Sequence, residues 1–490
     1  MTDQHSIDSL INSRILKRNI VYNLAGQVFP LLAAVIAIPL LINAIGEERF
    51  GLLSIGWMLV GYFGLFDLGL ARVLTKMVGE KLGSGKSDEI SQIIWSGLFF
   101  MLLLGIISAV IFCGLTPFLI HILNIPGPLL GEARLSFIIL GCCIPIVTTG
   151  TGLRGILEAF QKFGSVNLVK SLNGILLFCA PLLIIQYTQY LPYYMLIIAG
   201  IRLLMWTGYA VLSYHRIGAI RKIILKPAHI RPMLKQGSWM SVSNIMGPVM
   251  LYFDRFFIGV FITIAAVTFY VTPYEIVSKT MMITAAFIRV LFPAFSTTIA
   301  GDPAHAGRLY NQGMRAMLIM FPVSLLIIGI SGPGLRIWLG PEFAQSKMVA
   351  QWLALGCFIN APAQVAFIFI QASGRPDITA KLHLLEIPVY LLLFYFLIRQ
   401  FGITGAAVAW TARMLLESIL LLNIAPRFME TKLLEKRLYV YFSLAVCYLL
   451  LVISIQNERL QLIASIITAL ICIPLLFRSF RIIFKPKRIH

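Results

Sequence analysis

The sequence predicts an all-α integral membrane protein with about fourteen transmembrane helices. Apolar residues make up 59% of the 490 residues and charged residues only 12%, a composition far from that of soluble globular proteins. Apolar stretches of roughly 20 residues, the length that a helix needs to cross a bilayer, recur along the whole chain. These stretches lack the alternation of barrel strands, whereas a helix satisfies its own backbone hydrogen bonds in lipid.

The predicted spans follow one another with short connections, so little of the chain remains for a soluble domain. The N-terminal segment before the first span is polar and lacks the features of a signal peptide, so we expect the first span to be retained. In chain order the spans cover residues 20–45, 50–73, 90–115, 132–156, 164–186, 191–214, 237–261, 264–295, 312–335, 348–371, 380–398, 403–425, 438–455 and 460–477.

Lys and Arg residues are distributed unevenly between the two sides of the membrane. Of the 40, we assign 29 to the side of the N terminus, including those toward the ends of spans on that side, and five to the interior of spans. The other side carries six, namely Arg49, Arg134, Arg336, Lys347, Arg399 and Arg459. Because basic loops remain in the cytoplasm, both termini are expected there. The net charge of +20 therefore matches an anionic membrane leaflet rather than nucleic acid.

The order of spans and basic loops predicts four segments. Residues 1–214 form an N-terminal lobe of six spans, and residues 215–236 form a basic cytoplasmic linker. Residues 237–425 form a C-terminal lobe of six further spans, and residues 426–490 add two helices and a basic cytoplasmic tail. The layout suggests two repeated lobes, as in carriers built from internal repeats.

The sequence offers little support for a nucleotide, metal or cofactor site. The segment Gly79–Ser87 looks like a phosphate-binding loop, but it has five residues where the Walker pattern has four between its glycines. All seven cysteines lie in apolar stretches without a CxxC pair, and His383 is the one histidine inside a span. We therefore expect no cofactor, no metal and no ATP-driven pump in this chain. Short external loops also argue against an enzyme.

A polar stripe runs along the first span. Asn19, Asn23 and Gln27 are spaced at i, i+4 and i+8, so they share one face of the helix. Such a stripe either forms hydrogen bonds to other helices of the bundle or lines a transport pathway. The sequence leaves both interpretations open.

Ten charged residues lie at membrane depth. On insertion scales each such group costs roughly 2.5–3.5 kcal/mol, or about 25–35 kcal/mol for the set if all of them faced lipid. We therefore expect them to share a hydrated or paired interior. The set comprises Arg202, Arg255, Lys279, Arg289 and Arg413, with Asp67, Asp254, Glu275, Glu386 and Glu417.

Some of these charges can be neutralised by a neighbour on the same helix. Glu275 with Lys279 and Arg413 with Glu417 are i, i+4 pairs, and Asp254 adjoins Arg255; for these pairs neutralisation and functional use are both open. Arg202 and Arg289 have no acidic residue within a helical turn, so they are better candidates for meeting a mobile anion. His383 and Glu386, at i, i+3, form either a proton relay or a helix-stabilising contact.

Several short motifs, in this order, resemble the polysaccharide-export branch of the multidrug, oligosaccharidyl-lipid and polysaccharide (MOP) exporter superfamily, especially Wzx-type O-antigen flippases. The resemblance runs over almost the whole chain. The motifs are Asn23–Gly26, Ile38–Leu40, Gly61–Leu70, Asp254–Gly259, Tyr270–Lys279, Leu291–Ala294, Trp338–Phe343, Gln371–Asp377 and Gly402–Ala407.

The resemblance implies two six-helix lobes of the MATE-like (MOP) fold plus two C-terminal helices. It further implies a flippase of the bacterial inner membrane that moves an undecaprenyl-diphosphate-linked oligosaccharide, such as an O-antigen unit used in lipopolysaccharide biosynthesis. Alternating access would be coupled to a proton or sodium ion, and a polysaccharide polymerase and a chain-length regulator are expected partners. One departure is that the embedded charges are balanced rather than mainly cationic.

Under this hypothesis the five embedded basic residues contact the anionic substrate, and the five acidic residues with His383 serve coupling or gating. Two alternatives remain. A MATE-like drug or cation antiporter of the same superfamily would have an acidic and aromatic cavity. A membrane glycosyltransferase or ligase would be expected to carry a sizeable external loop or acidic catalytic clusters.

Overall fold

The structure is a computed structural model that describes residues 13–83, 87–160, 162–218, 223–226, 253–301, 303–429 and 436–483. For residues 13–28, 475–483 and a few single positions that include Arg289, only the backbone is described. Within this part of the chain the secondary structure is entirely helical, which confirms the predicted class. The helices are α1 (Ser13–Tyr62), α2 (Leu70–Gly83), α3 (Ser87–Ile122), α4 (Leu130–Cys142), α5 (Ile144–Ala159), α6 (Phe163–Cys179), α7 (Leu191–Arg216), α8 (253–261), α9 (Ile264–Val277), α10 (Met281–Gly301), α11 (Pro303–Met317), α12 (Met320–Leu339), α13 (Lys347–Ala372), α14 (Pro376–Ile424), α15 (Lys436–Ser454) and α16 (Glu458–Ile483).

Two of the helices extend over more than one predicted span, and each is broken at a glycine; the predicted span 50–73 is itself divided, since α1 ends at Tyr62 and α2 begins at Leu70. Gly46 in α1 has φ 81° and ψ 165°, and Gly402 in α14 has φ 56° and ψ −137°. Glycine adopts these positive φ values at little cost because it has no Cβ. Among the described residues, nine helical stretches are long and apolar enough to cross a membrane, and two of them, Phe29–Tyr62 and Pro376–Phe428, contain these breaks. The exact number of fourteen spans stays a prediction, since most of the span 237–261 lies outside the described residues.

The chain divides into two compact units, with the boundary between Thr268 and Phe269 inside α9. The end of α8, before this boundary, is hydrogen-bonded to Asn124, which follows α3 in the first unit. Asn124 donates its backbone N–H to the Gly259 carbonyl (3.2 Å) and its side-chain amide to the Val260 carbonyl (2.8 Å). The sequence-based segments, with a linker at residues 215–236, stay a prediction.

In the first unit, small residues let helices approach closely. A Cβ at Gly155 would lie 2.8 Å from the Ala71 carbonyl oxygen, so α5 and α2 meet backbone to backbone. Around this contact, Leu74, Ile94 and Met101 form part of a fully buried cluster from α2 and α3. Because lipid is as apolar as these side chains, such close packing rather than the hydrophobic effect holds the helices together.

One partly buried ion pair connects three helices of the first unit. Arg49 in α1 makes a bidentate contact with Glu132 in α4, at 3.0 Å and 2.7 Å. Glu132 also accepts the backbone N–H of Leu191, the first residue of α7, at 3.0 Å. Bidentate pairs of this kind fix geometry as well as contributing energy.

The second unit is built around α13, which is almost entirely buried. Hydroxyl groups of α14 satisfy carbonyl oxygens of α13: Thr411 donates to Trp352 (2.7 Å) and Ser418 donates to Ile359 (2.8 Å). Thr411 and Ser418 are seven residues apart on α14, as Trp352 and Ile359 are on α13. The two helices therefore stay in contact along two turns. This interface positions the polar cluster described below.

Candidate functional site

The first unit contains a small cavity of about 100 Å³ that brings together three basic side chains from three helices. Arg154 comes from α5, Lys170 from α6 and Arg202 from α7. The remaining wall is mainly apolar, with Trp206, Met205 and Tyr209 among its residues. We call this the cationic cavity.

Two of the three basic groups of the cationic cavity share a single carboxylate among the described residues. Glu158 lies 3.6 Å from Arg154 Nε and 3.7 Å from Lys170 Nζ, so one carboxylate serves two cations. Arg202 makes a contact of 3.6 Å from Nη1 to the Met205 sulfur. Charges attract each other strongly in apolar surroundings, so the basic groups of this cavity would bind an anion such as a phosphate or a carboxylate.

Asp67 lies next to the wall of the cationic cavity and stabilises a sharp turn of the backbone at residues 67–69. Its carboxylate accepts the backbone N–H of Gly69 (2.7 Å) and the hydroxyl of Thr151 (3.0 Å), a residue that lines the cavity. Leu68 and Gly69 have positive φ values of 50° and 71°, and α2 begins directly afterwards. Asp67 is thereby linked to both the turn and the cavity wall.

The second unit contains a separate polar cluster on α13 and on both halves of α14. Asn360 donates to Glu417 (3.4 Å), and Gln364 donates to the Asn360 side chain (3.1 Å). The Arg413 guanidinium lies 5.4 Å from the centre of the Tyr390 ring, a distance typical of cation–π contacts. Asn360, Arg413 and Glu417 are all buried.

Glu386 is the least satisfied member of this polar cluster. It has no exposed surface, and among the described residues neither carboxylate oxygen has a hydrogen-bond partner. His383 Nδ1 lies 3.6 Å from Glu386 Oε2, which is long for a hydrogen bond but short enough for an ion pair if the imidazole is protonated. A buried carboxylate in this state is costly unless a proton or a cation compensates it.

The structure groups some of the sequence-predicted residues and separates others. His383, Glu386, Arg413 and Glu417 lie in one cluster, whereas Arg202 lies in the cationic cavity. Glu275 and Lys279 pair with each other at 3.4 Å. Asp254 accepts the backbone N–H of Arg255 at 2.9 Å, and both residues are buried in the first unit. The side chains of Arg289, Asn19, Asn23 and Gln27 lie outside the described residues, so their predicted roles stay predictions.

Sequence reasoning did not predict that Arg154 and Lys170 line the same cavity as Arg202. It assigned both to the cytoplasmic flank, because each falls near the end of a predicted span. A signal was present in the glycines at 150, 152 and 155, which mark a close helix contact beside Arg154. Glu132, at the edge of its span, was also not recognised as a buried partner of Arg49.

Comparison with known proteins supports a common origin with polysaccharide exporters. Residues 16–299 match the family model described as "Polysaccharide biosynthesis protein". The chain is 32% identical over 408 residues to a Shigella flexneri protein that bears the name of an O-antigen transporter, covering 82% of this chain and 96% of that protein. The membrane protein EpsK of Bacillus subtilis is 23% identical, with 66% of each chain covered.

Solved structures agree on the fold. The lipid II flippase MurJ in an inward closed conformation matches with a TM-score of 0.72 at 14% identity, over 94% of this chain and 99% of that chain. An inward-facing multidrug resistance MATE transporter of the MOP superfamily matches with a TM-score of 0.65 at 13% identity, over 86% and 95%. Since the family model covers more than half of the chain, this protein belongs to the polysaccharide biosynthesis protein family and has the helical fold of the MOP superfamily.

Proposed function

We propose that this protein is a flippase that moves a lipid-linked oligosaccharide across the bacterial inner membrane. The observation that carries the proposal is the cationic cavity, which places Arg154, Lys170 and Arg202 on three helices around one space. Family membership supports it, because the relative from Shigella flexneri is named for O-antigen transport and a relative from Haloferax volcanii for glycan biosynthesis flipping. The finer proposal is an undecaprenyl-diphosphate carrier lipid bearing an O-antigen or similar repeat unit.

The physical argument concerns the diphosphate that joins the lipid to the glycan. Moving an anion through the bilayer core is costly, so a flippase must supply compensating charge. Guanidinium groups suit this role because they stay charged and present several donors to phosphate oxygens. A cavity of about 100 Å³ can hold a phosphate group but not an oligosaccharide. The glycan would therefore need a larger space than the cationic cavity.

We also propose that the polar cluster of the second unit couples transport to a proton or a sodium ion. The support comes from Glu386, a fully buried carboxylate whose oxygens have no hydrogen-bond partner among the described residues. Either a proton or a small cation at Glu386 would remove that electrostatic penalty. His383, Arg413 and Glu417 are the neighbouring ionisable groups, so binding of a proton or cation at Glu386 would change the net charge of the whole cluster.

A drug or cation antiporter is the main alternative, since MATE multidrug transporters share the fold. The three basic groups of the cationic cavity argue against it, because they would repel a cationic drug. An enzymatic role has less support, since the relatives carry the names of transporters and flippases.

The first prediction concerns the cationic cavity. The double variant Arg154→Ala/Arg202→Ala should reduce flipping at least about tenfold, since hydrogen bonds to charged groups contribute roughly 1.5–3 kcal/mol each. The measurement uses proteoliposomes containing a fluorescent polyprenyl-diphosphate oligosaccharide from the source cells. An impermeant quencher then reports how much lipid has changed leaflet.

Lys76→Ala is the matched control for this experiment, because Lys76 is a half-exposed basic residue in α2 that pairs with Glu80 instead. The control should flip like the unaltered protein. Unchanged flipping in the double variant would contradict the assignment. Transport of a cationic dye without any glycolipid flipping would favour the antiporter instead.

The second prediction concerns ion coupling. Glu386→Gln should remove the response of flipping to an imposed proton or sodium gradient, because the neutral amide cannot exchange a proton or balance a cation. Proteoliposomes with either a pH gradient or a sodium gradient distinguish the two ions. Glu342→Gln, at an exposed position between α12 and α13, should keep the response. A Glu386→Gln protein that still responds to the gradient would exclude Glu386 as the coupling group.

A further inference from the structure

A second cavity in the first unit is larger than the cationic cavity and has the opposite chemistry. Its volume is about 610 Å³, within the range of roughly 300–1,000 Å³ typical of ligand pockets. It lies among α3, α5 and α7 and is bordered by Ile223 and Leu225. Four aromatic side chains line it, namely Trp95, Phe99, Trp206 and Tyr214. We call it the aromatic cavity.

Two polar groups at the wall of the aromatic cavity, whose lining also includes His215, are engaged in hydrogen bonds within the protein. Trp206 donates its indole N–H to the Thr149 hydroxyl (3.0 Å), and Thr149 donates in turn to the Pro145 carbonyl (2.6 Å). These bonds leave ring faces and aliphatic groups such as Leu98 and Leu153 toward the space. The surface therefore suits a hydrocarbon chain better than a polar headgroup.

The two cavities share a wall. Trp206 lines both of them, and Thr149 of the aromatic cavity is followed directly by Gly150 and Thr151 of the cationic cavity. A ligand with an anionic group joined to a long apolar chain would therefore place the anion and the chain in adjacent sites. A free sugar phosphate would use one site and leave the other empty.

The rim of the aromatic cavity is apolar and accessible. Phe99 and Val211 are 50% and 54% exposed, and Ile223 is 68% exposed.

Residues 223–226 are held against α3 by a reciprocal pair of hydrogen bonds. The Lys226 backbone N–H donates to the Ser96 hydroxyl (2.9 Å), and that hydroxyl donates to the Lys226 carbonyl (3.1 Å).

We propose that the aromatic cavity binds a segment of the polyprenyl chain of the substrate while the cationic cavity holds a phosphate group of its diphosphate. This inference rests on the proposed flippase function and extends it from the headgroup to the lipid. Flat, methyl-branched isoprene units match aromatic faces, and the adjacent group of three cations matches a diphosphate better than the single charge of a common phospholipid.

The test uses the full chain in liposomes and a glycan-free polyprenyl diphosphate with a photoreactive diazirine in an isoprene unit near the diphosphate. Light should attach the probe to peptides that contain Trp95–Leu102 and Trp206–Tyr214. Leu102→Trp narrows the cavity and should lower this labelling about tenfold, since each lost CH₂ contact is worth roughly fourfold in affinity. Leu103→Trp is the matched control, because Leu103 is equally exposed (42% against 40%) and is not part of the cavity wall.

Ala210→Trp, which fills the cavity from α7, provides a second variant if Leu102→Trp fails to fold. Undiminished labelling in a folded variant would overturn the proposal. Equal displacement of the probe by phosphatidylglycerol and by unlabelled polyprenyl diphosphate would also overturn it, because the cavity would then be a general acyl-chain site.

Flipping of the glycolipid by the same proteins separates this proposal from the proposed function. If only the chain site is wrong, the unaltered protein flips and Leu102→Trp flips equally well. If the flippase function itself is wrong, the unaltered protein does not flip. Labelling that follows the prediction, together with slower flipping by Leu102→Trp than by Leu103→Trp, supports both.

Discussion

At the scale of single residues, the second unit places two carboxylates and a guanidinium in its buried interior. Glu386 is 0% exposed, Glu417 4% and Arg413 7%. Arg413 and Glu417 are one helical turn apart on α14, and Arg413 lies over the Tyr390 ring. Charges in such a position persist only if neighbouring groups compensate them, so removal of Arg413 affects more than one contact.

Arg413→Met should therefore destabilise the protein by about 3–5 kcal/mol, the cost of leaving a buried charge without its partner. Thermal unfolding in detergent, followed by the loss of folded protein in size-exclusion chromatography, measures the change. The double variant Arg413→Met/Glu417→Gln should recover most of the lost stability because it also removes a carboxylate. Equal instability of the single and double variants would show that Arg413 stabilises by packing alone.

At the scale of elements, α14 depends on glycines at its break. Gly402 adopts φ 56° and ψ −137°, and a Cβ at Gly405 would lie 1.9 Å from the Leu397 carbonyl oxygen. The two halves of α14 therefore meet at a corner where backbone touches backbone. This corner sets the direction of the half that carries Arg413 and Glu417.

Gly405→Ala should destabilise the protein by about 1–3 kcal/mol or more, because the clash is with backbone that cannot rotate away. Gly200→Ala in α7 is the matched control, since no atom lies within 4 Å of its added Cβ. Alanine there should be neutral or stabilising by up to about 1 kcal/mol through helix propensity. A lower unfolding temperature for Gly200→Ala than for Gly405→Ala would contradict this account of the corner.

At the scale of the whole molecule, the distribution of charge predicts the orientation in the membrane. On the side with few basic residues, ion pairs form between residues of the helices: Arg49 contacts Glu132 in the first unit, and Arg336 and Lys347 contact Glu458 in the second. The charges of these three basic residues are thereby neutralised within the protein. The positive-inside rule places the loops with few basic residues outside and the Lys- and Arg-rich loops inside.

Single cysteines should report this orientation in a background without the seven native cysteines. Glu342→Cys, between α12 and α13, should react with an impermeant maleimide on intact cells. Arg375→Cys, between α13 and α14, should react only after the membrane is opened. Both positions are exposed, so accessibility of the side chain itself is matched. The reverse labelling pattern would invert the topology.

Much of the fold could be predicted from the sequence because lipid imposes strong local rules. The predicted spans 20–45 and 403–425 end and begin beside the breaks at Gly46 and Gly402, and the embedded charges His383, Glu386, Arg413 and Glu417 were visible as candidates. The sites were harder to predict. Arg154 and Lys170 resembled ordinary flanking residues, since nothing in the spacing of α5, α6 and α7 indicates that the three helices meet around Arg202.

The sequence by itself determined that this chain is a helical membrane protein, because length, apolarity and charge asymmetry act locally in a bilayer, and its ordered motifs carried the resemblance to the polysaccharide-export branch. The tertiary structure decided which charges share a space. It joined Arg202 with Arg154 and Lys170, placed the aromatic cavity beside them, and left Glu386 without a hydrogen bond among the described residues. The physical reason is that interhelical distances depend on small-residue contacts such as Gly155 against Ala71, which no periodicity along one helix reveals.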